Sequence, residues 1–563
     1  MTSPGLLAAA LLPADTVTTV SASMFRAPGV SVEFAQARQA ISPRRTDITG
    51  FVGIARRGPL YMPVRVESWG EFVAAFGRHT PAGYLAYAVE AFFANGGRTA
   101  WVVRTAHPSS ALPAQLDLAD DAGHPTVRLT AAWSGVGAET ALPNPGTWAH
   151  RMTASVARDG DRFDLTLRAP DGLTEHWRDL GTSGPRQVPD ILNDIATGSR
   201  LATAALLSGP GTPPAPTIRP AAFAGGVDGL SDLTTVDVTR GLAALEQIDE
   251  IAILAVPDLQ EAPRTSVRTA LPVPRCDVLD ATVAQAPPDT DPTEFPPPLD
   301  VAAGQAELIA QCERARDRFA ILDPPRGASD PATAIAWRDA LMPSAFAAAY
   351  FPWVLAPDPL QLSGRLVRPV PPSGHVAGVY ARGDLTVGVH KPPANEALEL
   401  AADVGFRADD LIHGIVNEAC LNLIRPYDGR GIRVAGARTL SCRSPWRYVN
   451  VRRLVAMIEE AVGEDLAWAV FEPNNADLWA QVDRTVRGFL DDLWRAGMLD
   501  GATAAEAFDV RCDAETNPPD QIELGRLTCR IALRPPPPAE FVIVRVTLSA
   551  EGAPSVVRGG IDA

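Results

Sequence analysis

The chain has 563 residues, 46 % hydrophobic and 21 % charged, the composition of a globular protein with room for two to four domains. No apolar run approaches the roughly 18–20 residues that span a bilayer, which argues against direct membrane insertion. A net charge of −16, with Lys391 the only lysine, argues against a nucleic-acid grip, because phosphate binding runs on surplus basic side chains.

Residues 1–23 are small, apolar and turn-rich and are expected to form a flexible arm. The stretch 6–12 has no Lys or Arg before it and is short for a signal core, so cytoplasmic synthesis is the expectation. In the next segment Val30, Val32 and Phe34 alternate with polar residues, the period of a strand with one apolar face. A second strand is predicted over 48–55. Ser68 three residues before Glu71 has the spacing of a capping box, with Gly77 as the stop. A helix over 84–95 places Leu85, Val89 and Phe92 on one face, and a strand over 100–105 closes an α+β module spanning 24–105.

Between 106 and 225 the texture changes to short strands and turns, including a hairpin around Asp159-Gly160-Asp161. This is read as an inserted, mostly-β outer domain. From 226 to 400 the rhythm is α/β: strand 251–256, helix 304–316, strand 319–322, helix 331–341 and strand 349–355. Apolar strands alternating with helices indicate a parallel sheet covered on both faces. A Pro-rich loop interrupts it over 261–302.

The last region, 401–563, contains an amphipathic helix capped by Asn475 and ended by Gly497, with Leu478, Val482, Val486, Phe489 and Leu493 on one face. Pro535 to Pro538 then impose an extended spacer. The β-prone run 541–548 follows, with Phe541, Val542, Val544 and Val546 among its apolar residues, and a polar tail ends the chain. Apolar strands near both ends of a chain are an aggregation hazard unless paired, either internally or on a neighbouring subunit's sheet. The six cysteines (276, 312, 420, 442, 512 and 529) are scattered without a C-x-x-C pair, so reduced, mostly buried thiols are expected, with no metal site.

Many short motifs in order resemble contractile tail sheath proteins of phage tails and extracellular contractile injection systems. Early ones are Ala27-Pro28-Gly29-Val30, Thr49-Gly50-Phe51-Val52-Gly53, Arg57-Gly58-Pro59, Asn144-Pro145-Gly146 and Gly225-Gly226 with Asp228-Gly229. Later ones are Gly374-His375-Val376-Ala377-Gly378, Trp446-Arg447-Tyr448-Val449-Asn450-Val451-Arg452-Arg453, Phe471-Glu472-Pro473-Asn474-Asn475 and Ala539-Glu540-Phe541-Val542. The resemblance implies an α+β inner core with exchanged terminal strands, a subtilisin-like α/β middle domain without catalytic residues, and the β insertion. It also implies a homo-oligomer of stacked hexameric rings, metastable when extended, that surrounds an inner tube protein between baseplate and terminator or cap proteins. Such particles assemble in the bacterial cytoplasm and stay there or are released. No cofactor is expected, since the energy is stored in assembly and no G-x-x-x-x-G-K-[ST] run is present.

Two other readings compete. The Gly374-His375-Val376-Ala377-Gly378 motif also resembles the histidine motif of subtilisin-like serine hydrolases, with Asp258 as the acid, but Ser441 lacks the glycine of a nucleophile turn. A monomeric adhesion module would use the insertion alone. Under the sheath reading, Val30, Val32 and Phe34 and then Phe541, Val542, Val544 and Val546 form the exchanged strands. Arg484, Arg487, Asp491 and Arg495 are the candidate inner-tube contacts, the alternative being a solvated helix face.

Overall fold

The structure, a computed structural model, describes residues 40–135, 138–207, 212–260, 294–361, 366–442 and 445–540. It also describes the backbone of two short strands at 544–547 and 555–558. The 1–23 arm, the segment with Val30, Val32 and Phe34, residues 261–293 of the Pro-rich loop, Cys276, Phe541 and Val542 lie outside the described residues. So do the side chains of Val544 and Val546.

The first half of the core is local and follows the sequence closely. Strand β1 (Thr49–Gly53), strand β2 (Val64–Val66), helix α1 (Trp69–Phe76), helix α2 (Leu85–Ala94) and strand β3 (Ala100–Arg104) appear in the predicted order. Ser68 caps α1 by accepting from Glu71 N, while the Glu71 carboxylate reaches back to Glu67 N, one residue earlier than in a capping box.

After β3 the chain leaves for the insertion, which has its own core. Strands Gln115–Ala119, Pro125–Trp133 and Ala202–Leu206 form one sheet with Leu142–Pro143; Thr153–Asp159, Arg162–Arg168, Thr174–Leu180 and Ala221–Ala222 form the second. The hairpin falls where the glycine indicated, with Asp159 opposite Arg162. The neck is built from the motifs noted above. Gly58 N donates to Asn144 Oδ1, Asp228 accepts from Thr147 N and Oγ1, and fully buried Arg104 donates to Gly58 O and Pro145 O.

The chain then returns with helix α3 (Thr235–Ala243), strand β4 (Ile253–Ala255), helix α4 (Val301–Ala315), strand β5 (Phe319–Leu322), helix α5 (Pro331–Ala340) and strand β6 (Ala347–Phe351). Helix α6 (Ser373–Thr386), strand β7 (Asn422–Tyr427) and strand β8 (Gly431–Val434) complete the sheet. Its order is Glu396–Ala397, β8, β7, β6, β5, β4, β1, β3, β2, with β7 through β3 all parallel. Regions 24–105, 226–400 and the start of 401–563, distinguished in the sequence, therefore share one sheet. Thr49 lies beside Ile253, across the whole insertion.

Every residue of β1, β4, β5 and β6 is buried, and successive residues go to opposite faces. Phe51, Ile253, Phe319 and Tyr350 join the core under α2 and α6; Val52, Leu254, Ala320 and Ala349 join the core under α3 and α4. The predicted strand 349–355 is two strands. Pro352, which has no N–H to give a ladder, separates β6 from Val354–Pro357, and the latter pairs in a different sheet.

The C-terminal region forms a separate core from helix α7 (Val449–Asp465), helix α8 (Ala476–Arg495), strand β9 (Phe508–Arg511) and strand β10 (Arg530–Leu533). The predicted stripe Leu478, Val482, Val486, Phe489 and Leu493 is buried, together with Leu490, and Asn475 caps α8 through Asp477 N and Leu478 N. The stretch read as a polar tail contains strand β12 (Ser555–Arg558), antiparallel to strand β11 (Val544–Thr547). The expectation of reduced thiols fails at one pair: Cys420 and Cys442 are disulfide-bonded, their Cα atoms 5.7 Å apart. Their separation of 22 residues concealed the pairing, because the loop after β8 folds back across the entrance to β7. Cys312, Cys512 and Cys529 are free.

Helix α6 explains one motif outright. A Cβ on Gly374 would lie 2.3 Å from Ala88 Cα, and one on Gly378 2.5 Å from Asn95 Cβ, so these glycines, four residues apart, let α6 lie directly against α2. Gly374→Ala is expected to destabilise the fold by about 1–3 kcal/mol, the usual cost of overpacking, read as a lower midpoint in urea unfolding. A midpoint equal to wild type would mean that the helices are not in close contact there.

Candidate functional site

In a parallel sheet the natural ligand site is the crevice at the carboxyl ends of the strands where the winding reverses. Here that point lies between β1 and β4, since the chain moves from β1 to β3 on one side and later resumes at β4 on the other. The crevice is filled by the chain itself. Asp258, just after β4, accepts from Ile54 N at 2.7 Å and Leu85 N at 3.2 Å through Oδ2, and from Tyr84 N at 2.6 Å through Oδ1. Its carboxylate thus occupies the N-terminal end of α2, where backbone N–H groups and the helix dipole favour an anion. Gly53 is required beside it, because a Cβ there would lie 2.4 Å from Asp258 Oδ2.

The adjacent strand repeats the device. Asp323, just after β5, accepts from Ser373 N at 2.8 Å and Ser373 Oγ at 2.6 Å at the start of α6. Complete burial pushes its carboxyl up to about 7, and the nearby Asp258 charge adds to the effect. Sequence reasoning singled out Asp258 and missed Asp323, although both follow a fully apolar strand, Asp258 by three residues and Asp323 directly.

The hydrolase reading requires Asp258, His375 and Ser441 to act in series. They sit instead in separate networks. Asp258 is engaged by the three amides. His375 lies in the first turn of α6 rather than in a loop, with Nε2 3.3 Å from Leu400 O. Burial lowers its imidazole to about 4, so it is neutral near pH 7. Ser441 N donates to Thr439 Oγ1 in the loop that carries Cys442.

The charged face of α8 divides. Arg484 and Arg495 are exposed, Arg484 Nε donating to Ala480 O and Arg495 pairing with Asp491 at 2.6 Å. Arg487 is exposed too, but its guanidinium is engaged by Asp483 one turn earlier and by Val510 O on β9.

Both terminal segments are rooted at α7. Ile41 is buried against α7 and α8, Ser42 N donates to Asp465 Oδ2, and Arg44 pairs with Asp465 and Glu464, all at the carboxyl end of the helix. At the amino end, Asn450 Nδ2 donates to Pro536 O, and Arg438, bridged to Tyr448, holds Glu540 through two hydrogen bonds of 2.8 and 2.5 Å. The sheet of β9 and β10 has two strands, and no third strand joins it among the described residues.

This arrangement, a two-face-covered α/β sheet with a β insertion and a small helical C-terminal domain, has the fold of sheath proteins. The contracted PVC sheath complex of an extracellular contractile injection system superposes with a TM-score of 0.55 at 20 % identity, over 95 % of this chain and 99 % of that one. The sheath tail protein of Listeria innocua gives 0.56 at 14 % identity, over 85 % and 90 %. Residues 442–549 match the family model described as the phage tail sheath C-terminal domain. A prophage major tail sheath protein of Pseudomonas aeruginosa is 28 % identical over 193 residues, 32 % of this chain and 47 % of that protein. The chain thus spans about half the length of that curated relative, and about a quarter of two phage tail sheath proteins it also matches. The chain is thus similar to the phage tail sheath C-terminal domain over residues 442–549 and to tail sheath proteins over about a third of its length.

The buried carboxyl of Asp323 makes stability pH-dependent with a definite sign. Its pKa is higher folded than unfolded, so its contribution is complete below about 4 and is lost as pH rises toward 7. Asp323→Asn removes this titration. Wild-type stability relative to the variant is expected to fall between pH 5 and 7, by at most about 1.4 kcal/mol per pH unit. Urea unfolding of both proteins across that range checks it, and a constant difference would contradict the burial of the acid.

Proposed function

We propose that this chain is the repeating structural subunit of a contractile sheath that surrounds an inner tube and shortens to drive the tube into a target. In this reading subunits form hexameric rings that stack helically between a baseplate and a terminator or cap protein. They assemble in the cytoplasm in an extended, metastable state. The match of residues 442–549 to the sheath C-terminal domain carries the proposal. The self-filled switch-point crevice supports a structural rather than an enzymatic role.

The link between rings is strand exchange. The two-stranded β9–β10 sheet, packed on α8, offers edges that pair with nothing among the described residues, and such edges are templates for another strand. Strands donated by neighbouring subunits, from the segment with Val30, Val32 and Phe34 and from the segment with Val542, Val544 and Val546, complete it. Pairing of β11 with β12 in the single chain leaves the other edge of β11 for such a contact. The long insertion is placed on the outside, which favours an injection-system particle over a phage tail.

Deleting residues 541–563 is expected to leave a folded subunit, with an unchanged melting midpoint, that forms no rods in negative-stain micrographs. Rods of normal length from the truncated chain would refute strand exchange. For the inner surface, Arg484→Glu with Arg495→Glu is expected to weaken co-sedimentation with tube at moderate salt while leaving subunit stability intact, because both side chains are exposed. Unchanged co-sedimentation would assign the α8 face to solvent. Arg487 is a poor reporter, since its loss also frees Asp483 and Val510 O.

A further inference from the structure

The Pro535 to Pro538 run reads in the sequence as an extended, stiff spacer that sets reach. In the structure it is tied down along its length. Arg534 Nε lies 3.1 Å from Asp500 Oδ2, and Arg534 O accepts from Asp500 N. Pro536 O accepts from Asn450 Nδ2 at 3.1 Å. Glu540 then meets Arg438 in a two-point contact, Nε to Oε1 at 2.8 Å and Nη2 to Oε2 at 2.5 Å, with the side chains only 18 % and 11 % exposed. Such a paired, partly buried fork is directional in a way that a lone surface ion pair is not.

Arg438 is itself immobilised. Its Nη1 donates to Asn417 O, and the Asn422 side chain accepts from Arg438 N while donating to Arg438 O. The Cys420–Cys442 disulfide closes the same loop against the start of β7. The guanidinium is therefore a fixed post on the α/β domain, and the spacer crosses from the β9–β10 sheet to reach it.

We infer that Arg438 and Glu540 form an intramolecular latch that sets the point from which the C-terminal strand departs, and with it the effective concentration of that strand at a neighbouring subunit. The inference rests on the strand-exchange reading above. With the latch closed, three residues separate Glu540 from the start of β11 at Val544; with it open, the last tie is Pro536, and seven residues intervene. Effective concentration falls roughly as the −3/2 power of tether length, so lengthening the tether from three to seven residues lowers it by about 3–4-fold. The released residues, two of them prolines, add about 3 Å of reach each. Arg438 and Glu540 are thus positioning residues. Their role is to pre-pay part of the ordering cost of exchange.

The experiment measures the critical subunit concentration for rod formation, by sedimentation and negative stain, for wild type, Glu540→Gln and the chain truncated after Glu540. Glu540→Gln keeps the side-chain length and removes the charge. It is expected to raise the critical concentration by about 3–4-fold, with no change in melting midpoint or rod diameter, and the truncated chain is expected to form no rods. A rise of twofold or more supports the latch. A smaller one, with the truncation still abolishing rods, overturns the latch and leaves strand exchange standing. Rods from the truncated chain overturn both. Arg438→Lys keeps the charge but gives a single-point contact; it takes the place of Glu540→Gln, under the same twofold criterion, if the latter lowers the melting midpoint.

Discussion

The buried ion pair between Arg453 and Asp384 holds the two halves of this subunit in register. Its nitrogens lie 2.6 and 3.1 Å from the carboxylate, both side chains are about 5 % exposed or less, and Arg453 also donates to Thr46 O. Thr46 Oγ1 completes the ring by donating to Asp384. Three segments meet there: α6 of the α/β domain, α7 of the C-terminal domain, and the strand of chain leading into β1. Burial alone would favour the neutral acid, and the guanidinium opposes that. Removing one partner of such a pair costs about 3–5 kcal/mol because the other charge is stranded. Arg452, next in the chain, serves the same joint by lying over the rings of Phe346 and Trp446 at 4.5 and 4.7 Å.

The second organising constraint is the burial of two carboxyl groups at the sheet edge. Asp258 and Asp323 each cap the start of a helix at the carboxyl edge of the sheet, in the places where an α/β enzyme would hold a ligand. An enzyme leaves those amides open for substrate. Here they are satisfied by side chains three residues beyond β4 and one beyond β5, which ties the sheet edge to the two helices. The histidine motif fits the same economy: its glycines serve helix contact, and its imidazole is a buried, neutral group.

Much of this is legible in the sequence. The helix after Asn475 carries its buried face at the spacing read from Leu478 to Leu493, and the strand at Phe319–Leu322 has the bounds that its apolar run indicated. Local rules sufficed because the deciding contacts lie within one turn or one pleat. What escaped was non-local. No periodicity reveals that Thr49 pairs with Ile253, so one sheet looked like three regions. Pro352 was visible, yet its power to divide 349–355 between two sheets depends on where Val370 and Val404 lie. On the candidate surface, Arg484, Arg487 and Arg495 all lie on the exposed side of the helix, and only the placement of β9 gives Arg487 a partner outside it, Val510 O. The proline spacer is legible as an extended segment, but its ties are not, because Asn450 and Arg438 lie 86 and 102 positions away.

The placement of the two terminal roots at opposite ends of α7 has a mechanical consequence. Seventeen residues of helix are about 25 Å long, and a buried helix of that length behaves as a stiff rod. The segment entering at Asp465 and the segment leaving beside Asn450 are therefore attached to the two ends of one lever arm. A subunit that tilts by about 10° carries one attachment about 4 Å relative to the other along the direction of tilt, a displacement of the order of one residue of extended chain. Rotation of this rod about its middle moves the two attachments in opposite senses, and the Arg453–Asp384 joint sits about one turn from its amino end.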